Sequence, residues 1–143
     1  MQRAGIAALL PHAGAMVLLD QLEAWDAENI TCRASSHLEA SNPLRRAGRL
    51  GAEAGIEYAM QAAALHGALT AGGQPQPVGF LASLREVALQ AEWLDDPAHG
   101  RLRIAAQLQH REASGLLYAF TLATADHRPL LQGRAAIALS RPA

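Results

Sequence analysis

Glu53, Glu57 and Gln61 recur every four residues within Leu50–Ala71, a 22-residue stretch otherwise dominated by Ala, Leu, Ile and Met. On a helix that spacing sets all three on one stripe, flanked and extended by Ala54, Ala64 and Ala68. Glu57 then falls near the middle of a greasy helix, where an unpaired charge is expensive, so it needs a partner or a job. Proton transfer is the chemistry such a carboxyl can do, since burial moves its pKa toward neutrality. Six histidines could share that work. His12 follows Pro11 in a turn and His37 ends a strand, and an imidazole titrates near neutral pH. His66 lies on the opposite face of the helix from Glu57 and reads as packing or capping. His99, His110 and His127 fall in turns or at strand ends, and no histidine and carboxylate share a metal-ligand spacing.

The elements that must position these groups follow from periodicity. Leu50–Ala71 has no internal proline, Gly72-Gly73 supplies a helix stop, and Pro75 and Pro77 forbid continuation. Being apolar almost all round, it predicts a core helix. Before it, residues 3–10 predict a short helix, Met16–Trp25 a strand, 26–29 a turn, and Ile30 onward a second strand with Ile30, Cys32 and Ala34 on one face. The polar loop between His37 and Leu50 carries Arg45, Arg46 and Arg49. After the helix come strands over Val78–Val87, Arg101–Arg111, Leu117–Thr124 and Leu131–Ser140, at meander spacing. In the clearest of them Leu102, Ile104, Ala106 and Leu108 face one way and Arg103, Gln107 and Gln109 the other. The expected class is α+β, one domain over residues 1–143.

Composition narrows the function. Half the residues are apolar, 17% are charged and the formal net charge is −1, which excludes a disordered chain and a nucleic-acid-coating surface. The lone Cys32 excludes an internal disulfide and a cysteine zinc site and fits a reducing cytoplasm. The N-terminal stretch lacks the long apolar region of a signal peptide, and Glu53, Glu57 and His66 argue against a membrane span, so a cytoplasmic protein is expected.

Three motifs carry a family resemblance. Leu10-Pro11-His12 with Met16–Asp20 (MVLLD) resembles the opening of FabZ-like 3-hydroxyacyl-[acyl carrier protein] dehydratases. Asn42-Pro43-Leu44 and Gly55–Ala62 (GIEYAMQA) resemble the loop and helix of dehydratase-like proteins from aryl-polyene and related pigment pathways. Gly79–Arg85 (GFLASLR) is similar to the glycine-bearing strand after that helix. The resemblance implies a hot-dog fold, in which a curved antiparallel sheet wraps a long helix. It also implies a homodimer or larger assembly, or a hetero-oligomer with a homologous dehydratase, acting on a thioester of acyl carrier protein or coenzyme A. No cofactor or metal is implied.

In such dehydratases a histidine removes the α-proton of a 3-hydroxyacyl thioester and the helix carboxylic acid, here Glu57, protonates the departing hydroxyl. The resemblance places Asn42, Gly55, Gln61 and Gly79 along the substrate, with a backbone N–H within Gly51–Gly55 polarising the thioester oxygen. Arg45 and Arg46 would meet the carrier or its phosphate. Fifteen positions before Glu57, where the FabZ pattern has its histidine, this chain has Asn42, which cannot be a base. Three alternatives stay open: His12 or His37 is the base, the chain is a non-catalytic partner subunit, or it is a hot-dog thioesterase using Glu57 and Asn42.

Overall fold

In the computed structural model, which describes residues 1–74 and 79–139, the long apolar stretch is helical over Gly55–Thr70 (α2). It is entered through a 3-10 turn at Ala52–Ala54. The helix starts later than its composition predicts because Leu50 and Gly51 are held extended. Leu94 N–H donates to Leu50 O at 2.8 Å, Ala52 N–H donates to Glu92 O at 3.0 Å, and Gly51 bridges Trp93. At the other end Gly72 and Gly73 adopt φ of 77° and 80°, and Gly73 N–H returns to Ala68 O at 2.9 Å. That left-handed pair closes the helix as glycine can. Pro75, Pro77, Val78 and Ser140 lie outside the described residues.

A short helix precedes it (α1, Arg3–Leu9), and six strands form one antiparallel sheet: β1 (Gln21–Trp25), β2 (Asn29–Ala34), β3 (Phe80–Leu89), β4 (Leu102–Glu112), β5 (Gly115–Ala123) and β6 (Pro129–Ala138). Their order is β1-β2-β4-β5-β6-β3. The last three strands are the expected meander, whereas β3 crosses to the far edge and pairs β6. Tyr58, Ala59, Ala62 and Leu65 of α2 share one core with Ile104 of β4, Leu122 of β5 and Leu131 of β6. This is the helix-in-sheet arrangement of a hot-dog fold. Among the described residues no helix is long and apolar enough to cross a membrane.

Strict alternation breaks at two places in the chain. Val17–Leu19 is buried but not in the sheet, because distant side chains take its ladder bonds. Leu18 N–H donates to Gln61 Oε1 at 2.9 Å, Arg3 donates to Val17 O at 2.7 Å, and Ser36 Oγ donates to Leu18 O at 2.6 Å. In β4 the register passes from Leu108 opposite Tyr118 to His110 opposite Leu117, a bulge that leaves Gln109 unpaired and reverses the parity of the strand's end.

Gly55 is where backbone meets core. A Cβ there would come within 2.3 Å of Leu131 Cδ2 and 2.9 Å of Leu122 Cδ2. Gly55→Ala is expected to lower unfolding free energy by about 1–2 kcal/mol, overpacking outweighing the better helix propensity of alanine. Chemical denaturation of the two proteins checks this.

Candidate active site

Along the face of α2 turned from the core, Glu57, Met60, Ala64, Gly67 and Ala71 recur at helical spacing and floor a cleft of about 470 Å³. Leu9, Pro11 and His12 form one wall, Gly79 and Leu81 another, and Arg111, Leu116, Ile137 and Leu139 close its length. Apart from His12, Glu57 and Arg111 the lining carries no ionisable group. Glu57 sits in the first turn of α2 and is exposed to the cleft, not buried as its greasy neighbours predict. Among the described residues its carboxyl makes no hydrogen bond or ion pair, so no structural partner accounts for it. His12 reaches the same cleft from the turn after α1. Its Nδ1 is buried without a partner among the described residues, which leaves Nε2 as the nitrogen accessible to a ligand.

The other expected site residues are placed elsewhere. His37 lies in a 3-10 turn (Ser36–Leu38), fully buried and not lining the cleft. Burial drives its pKa down to about 4, only partly countered by the Gly100 backbone, with His99, Asp20 and Asp95 in Coulombic range. Asn42 is buried in a directed chain. Its Nδ2 donates to Ser36 O at 2.9 Å and to Tyr58 OH at 3.0 Å. Tyr58 O–H then donates to Ser36 Oγ at 2.8 Å, because the Ser36 proton goes to Leu18 O. Leu44 N–H fills Asn42 Oδ1 at 2.9 Å. Burial raises the Tyr58 pKa to about 12, so the phenol keeps its proton and the chain keeps its direction. Tyr58→Phe strands the Asn42 donor and is expected to cost about 1–3 kcal/mol, read by thermal denaturation.

Gln61 is buried too, its amide committed to Leu18 N–H and Met16 O. Gly55 backs onto the sheet core, and the N–H groups of Ala52, Ala54 and Gly55 already donate to Glu92 O, Gly51 O, and Ala52 O and Glu53 O. Gly79 does line the cleft, at a point where a Cβ would come 2.6 Å from Ile137 Cγ2. Arg45 is a brace for the loop. It donates to Asp95 Oδ2 at 2.9 Å, Glu39 O at 2.8 Å and His37 O at 3.0 Å. Arg49 shares Asp95 at 3.1 Å and stacks 4.0 Å over Trp93. Arg46 is exposed, with no side-chain partner among the described residues.

His66 is the packing residue expected. Its Nε2–H donates to Asp26 O at 2.8 Å, and its Nδ1 accepts from Tyr118 O–H at 2.6 Å. Burial lowers its pKa, so the ring is neutral. His37 and His66 together set an acid limit. Native His37 takes a proton only near pH 4, whereas an unfolded histidine does so near pH 6.5. Between those values the unfolded chain binds more protons, so stability falls as pH drops below about 6.5. His37 alone predicts a loss of about 2 kcal/mol from pH 7 to pH 5. The transition temperature should fall over that range, and less so in His37→Gln.

Arg111 also lines the cleft, a placement that its sequence position does not predict. Alternation places it outward with Arg103 and Gln107, and only the β4 bulge brings it opposite Leu116 on the cleft side.

Residues 4–142 match the sequence profile of the ApeP-like family, described as ApeP dehydratase. No curated protein sequence matches the chain. Among solved structures, the dehydratase heterocomplex ApeI:P from Xenorhabdus doucetiae is similar with a TM-score of 0.81 at 19% identity, covering 95% of this chain and 91% of that one. Thioesterase superfamily member 2 from zebra fish gives 0.68 at 12% identity, covering 96% and 95%. A hypothetical thioesterase with coenzyme A from Streptococcus pneumoniae TIGR4 gives 0.59 at 12% identity, covering 84% of each. At these identities the structures show a shared fold.

Proposed function

The chain belongs to the ApeP-like dehydratase family, and we propose that it dehydrates 3-hydroxyacyl thioesters, carried on acyl carrier protein or coenzyme A, in fatty-acid or polyketide-type pigment biosynthesis. The observation that carries this reading is that His12 and Glu57 face one apolar cleft while neither is bonded to another group among the described residues. His12 Nε2 removes the α-proton, which the thioester carbonyl acidifies. The Cα–H electron pair forms the Cα–Cβ double bond, the Cβ–O bond breaks, and Glu57 in its acid form delivers a proton to the departing hydroxyl. Enoyl thioester and water leave. The apolar floor from Met60 to Ala71 suits an acyl chain. Arg46 is the loop cation assigned to the carrier's phosphate or acidic surface. The setting is cytoplasmic, in keeping with the free, buried Cys32.

A second reading is that the chain works as one member of an oligomer with a homologous dehydratase. It is favoured by β3, an edge strand whose Phe80, Leu81, Leu84, Val87 and Leu89 are 36–51% exposed. The X. doucetiae structure is itself a dehydratase heterocomplex. The thioesterase alternative has Glu57 in the cleft, whereas Asn42 is held in the Tyr58 network.

The test is incubation with 3-hydroxyacyl and saturated acyl thioesters, alone and with a homologous dehydratase, following enoyl formation and free thiol. Enoyl product from the chain alone, lost in His12→Ala and kept in His37→Ala, is the expected result. Enoyl formation that needs the second protein moves the assignment to the partner subunit. Thiol release without enoyl product overturns the dehydratase.

A further inference from the structure

The β4 bulge does one thing that packing does not require: it turns a charged side chain into an apolar cleft. Leu108 and Leu116 pack against the core, and Arg111, three residues after Leu108 and opposite Leu116, joins them on that side. The neighbouring His110 and Glu112 point away, 3.8 Å apart on the other face. Without the extra residue, Arg111 would share the outward face with Gln109. Bulges that re-aim a side chain beside a site are a recurrent device of sheets.

Arg111 lies toward the part of the cleft floored by the later turns of α2, away from Glu57. It acts electrostatically on His66, next to Gly67 in the later part of α2, and on Tyr118 of β5, whereas Glu57 is in the first turn of α2. The ten residues from Glu57 to Gly67 span about 15 Å of helix axis. Among the described residues no carboxylate pairs with Arg111, and no carbonyl accepts from it. A planar guanidinium with a free fork is suited to an oxyanion more than to any neutral group.

Building on the dehydratase reading, we propose that Arg111 is a specificity-determining residue that binds an oxyanion of the thioester, carboxylate or phosphate, about 15 Å along the cleft from the reacting carbons. A carboxylate would come from the far end of the acyl chain and a phosphate from the prosthetic arm. Either contact holds the substrate in register, so that its α and β carbons stop at His12 and Glu57.

Calorimetric titration with inert thioethers tests this. The probes are S-alkyl-N-acetylcysteamines of graded length ending in methyl or carboxylate, and methyl-ended S-alkyl pantetheine with and without its 4′-phosphate. The wild-type protein is expected to bind one oxyanion-bearing probe about tenfold or more tightly than its neutral counterpart. Arg111→Met loses that preference and Arg111→Lys keeps it. A preference for the carboxylate end assigns the oxyanion to the acyl chain, and one for the phosphate assigns it to the arm. Absence of any preference in the wild type, or one unchanged in Arg111→Met, overturns the proposal. Thioethers can neither lose water nor be cleaved, so a failed dehydratase assay would sink the functional reading and leave this result standing, and the converse also holds.

Discussion

Glu57→Gln is expected to lower kcat/KM for a 3-hydroxyacyl thioester by about 10²- to 10⁴-fold, the usual worth of a positioned general acid. Glutamine keeps the shape of the side chain and loses only the transferable proton. Glu57 is exposed in the cleft and unbonded among the described residues, so the substitution should leave the transition temperature unchanged. That separation makes the result interpretable, because a catalytic loss without a stability loss belongs to the chemistry. His12→Ala should cost a similar factor. The double variant should cost little more than either single one, since acid and base act on the same transition state. Steady-state assays of the three proteins, each with a melting curve, decide it. Full activity in Glu57→Gln would remove the carboxyl from the mechanism.

The second large effect concerns stability. Asp95, with its side chain 6% exposed, accepts from Arg45 at 2.9 Å, Arg49 at 3.1 Å and Leu50 N–H at 3.3 Å. Burial alone would raise its pKa, but those donors hold it below the usual carboxylate range, so the charge is present at neutral pH. Asp95→Ala would leave Arg45, itself largely buried, without its counter-ion and release the loop that Arg45 ties to Glu39, Gly48 and His37. Removing one partner of such a pair costs about 3–5 kcal/mol. For a chain of 143 residues this is a fall in transition temperature of roughly 10 °C or more. Because the loop leads into the start of α2, turnover should fall as well, through Glu57 placement. A melting curve within 2 °C of wild type, a margin well below the roughly 10 °C expected, would show the network to be a surface ornament.

The sheet was legible wherever one face meets core and the other solvent. Ile30, Cys32 and Ala34 are buried in alternation, as are Leu102, Ile104 and Ala106. Legibility failed where tertiary bonds replaced the local pattern. Val17–Leu19 reads as strand, yet Gln61, Arg3 and Ser36 supply its hydrogen bonds from afar. Gln61 shares a stripe with Glu57 by count, but a helix stripe says nothing of which residue meets the fold and which meets the ligand. A greasy context predicted burial for Glu57, and the carboxyl instead faces the cleft that the helix lines. The basic cluster at 45–49 could not reveal that Asp95, distant in sequence, neutralises two of its three arginines. Arg111 was hidden for a simpler reason: one unpaired residue inverts parity, and no residue type announces a bulge.

The edge formed by β3 has a consequence for solubility. A long, flat, greasy edge invites open-ended strand addition and fibre growth. β3 is greasy but not flat: its register against β6 slips between Leu81 and Ser83 and again between Arg85 and Ala88, with Glu86 at φ 56°. Two kinks and the charges of Arg85 and Glu86 break the row of free N–H and C=O groups into short runs. Only a strand bent in the same two places can zip along its full length, so the edge favours a finite, matched pairing over a polymer.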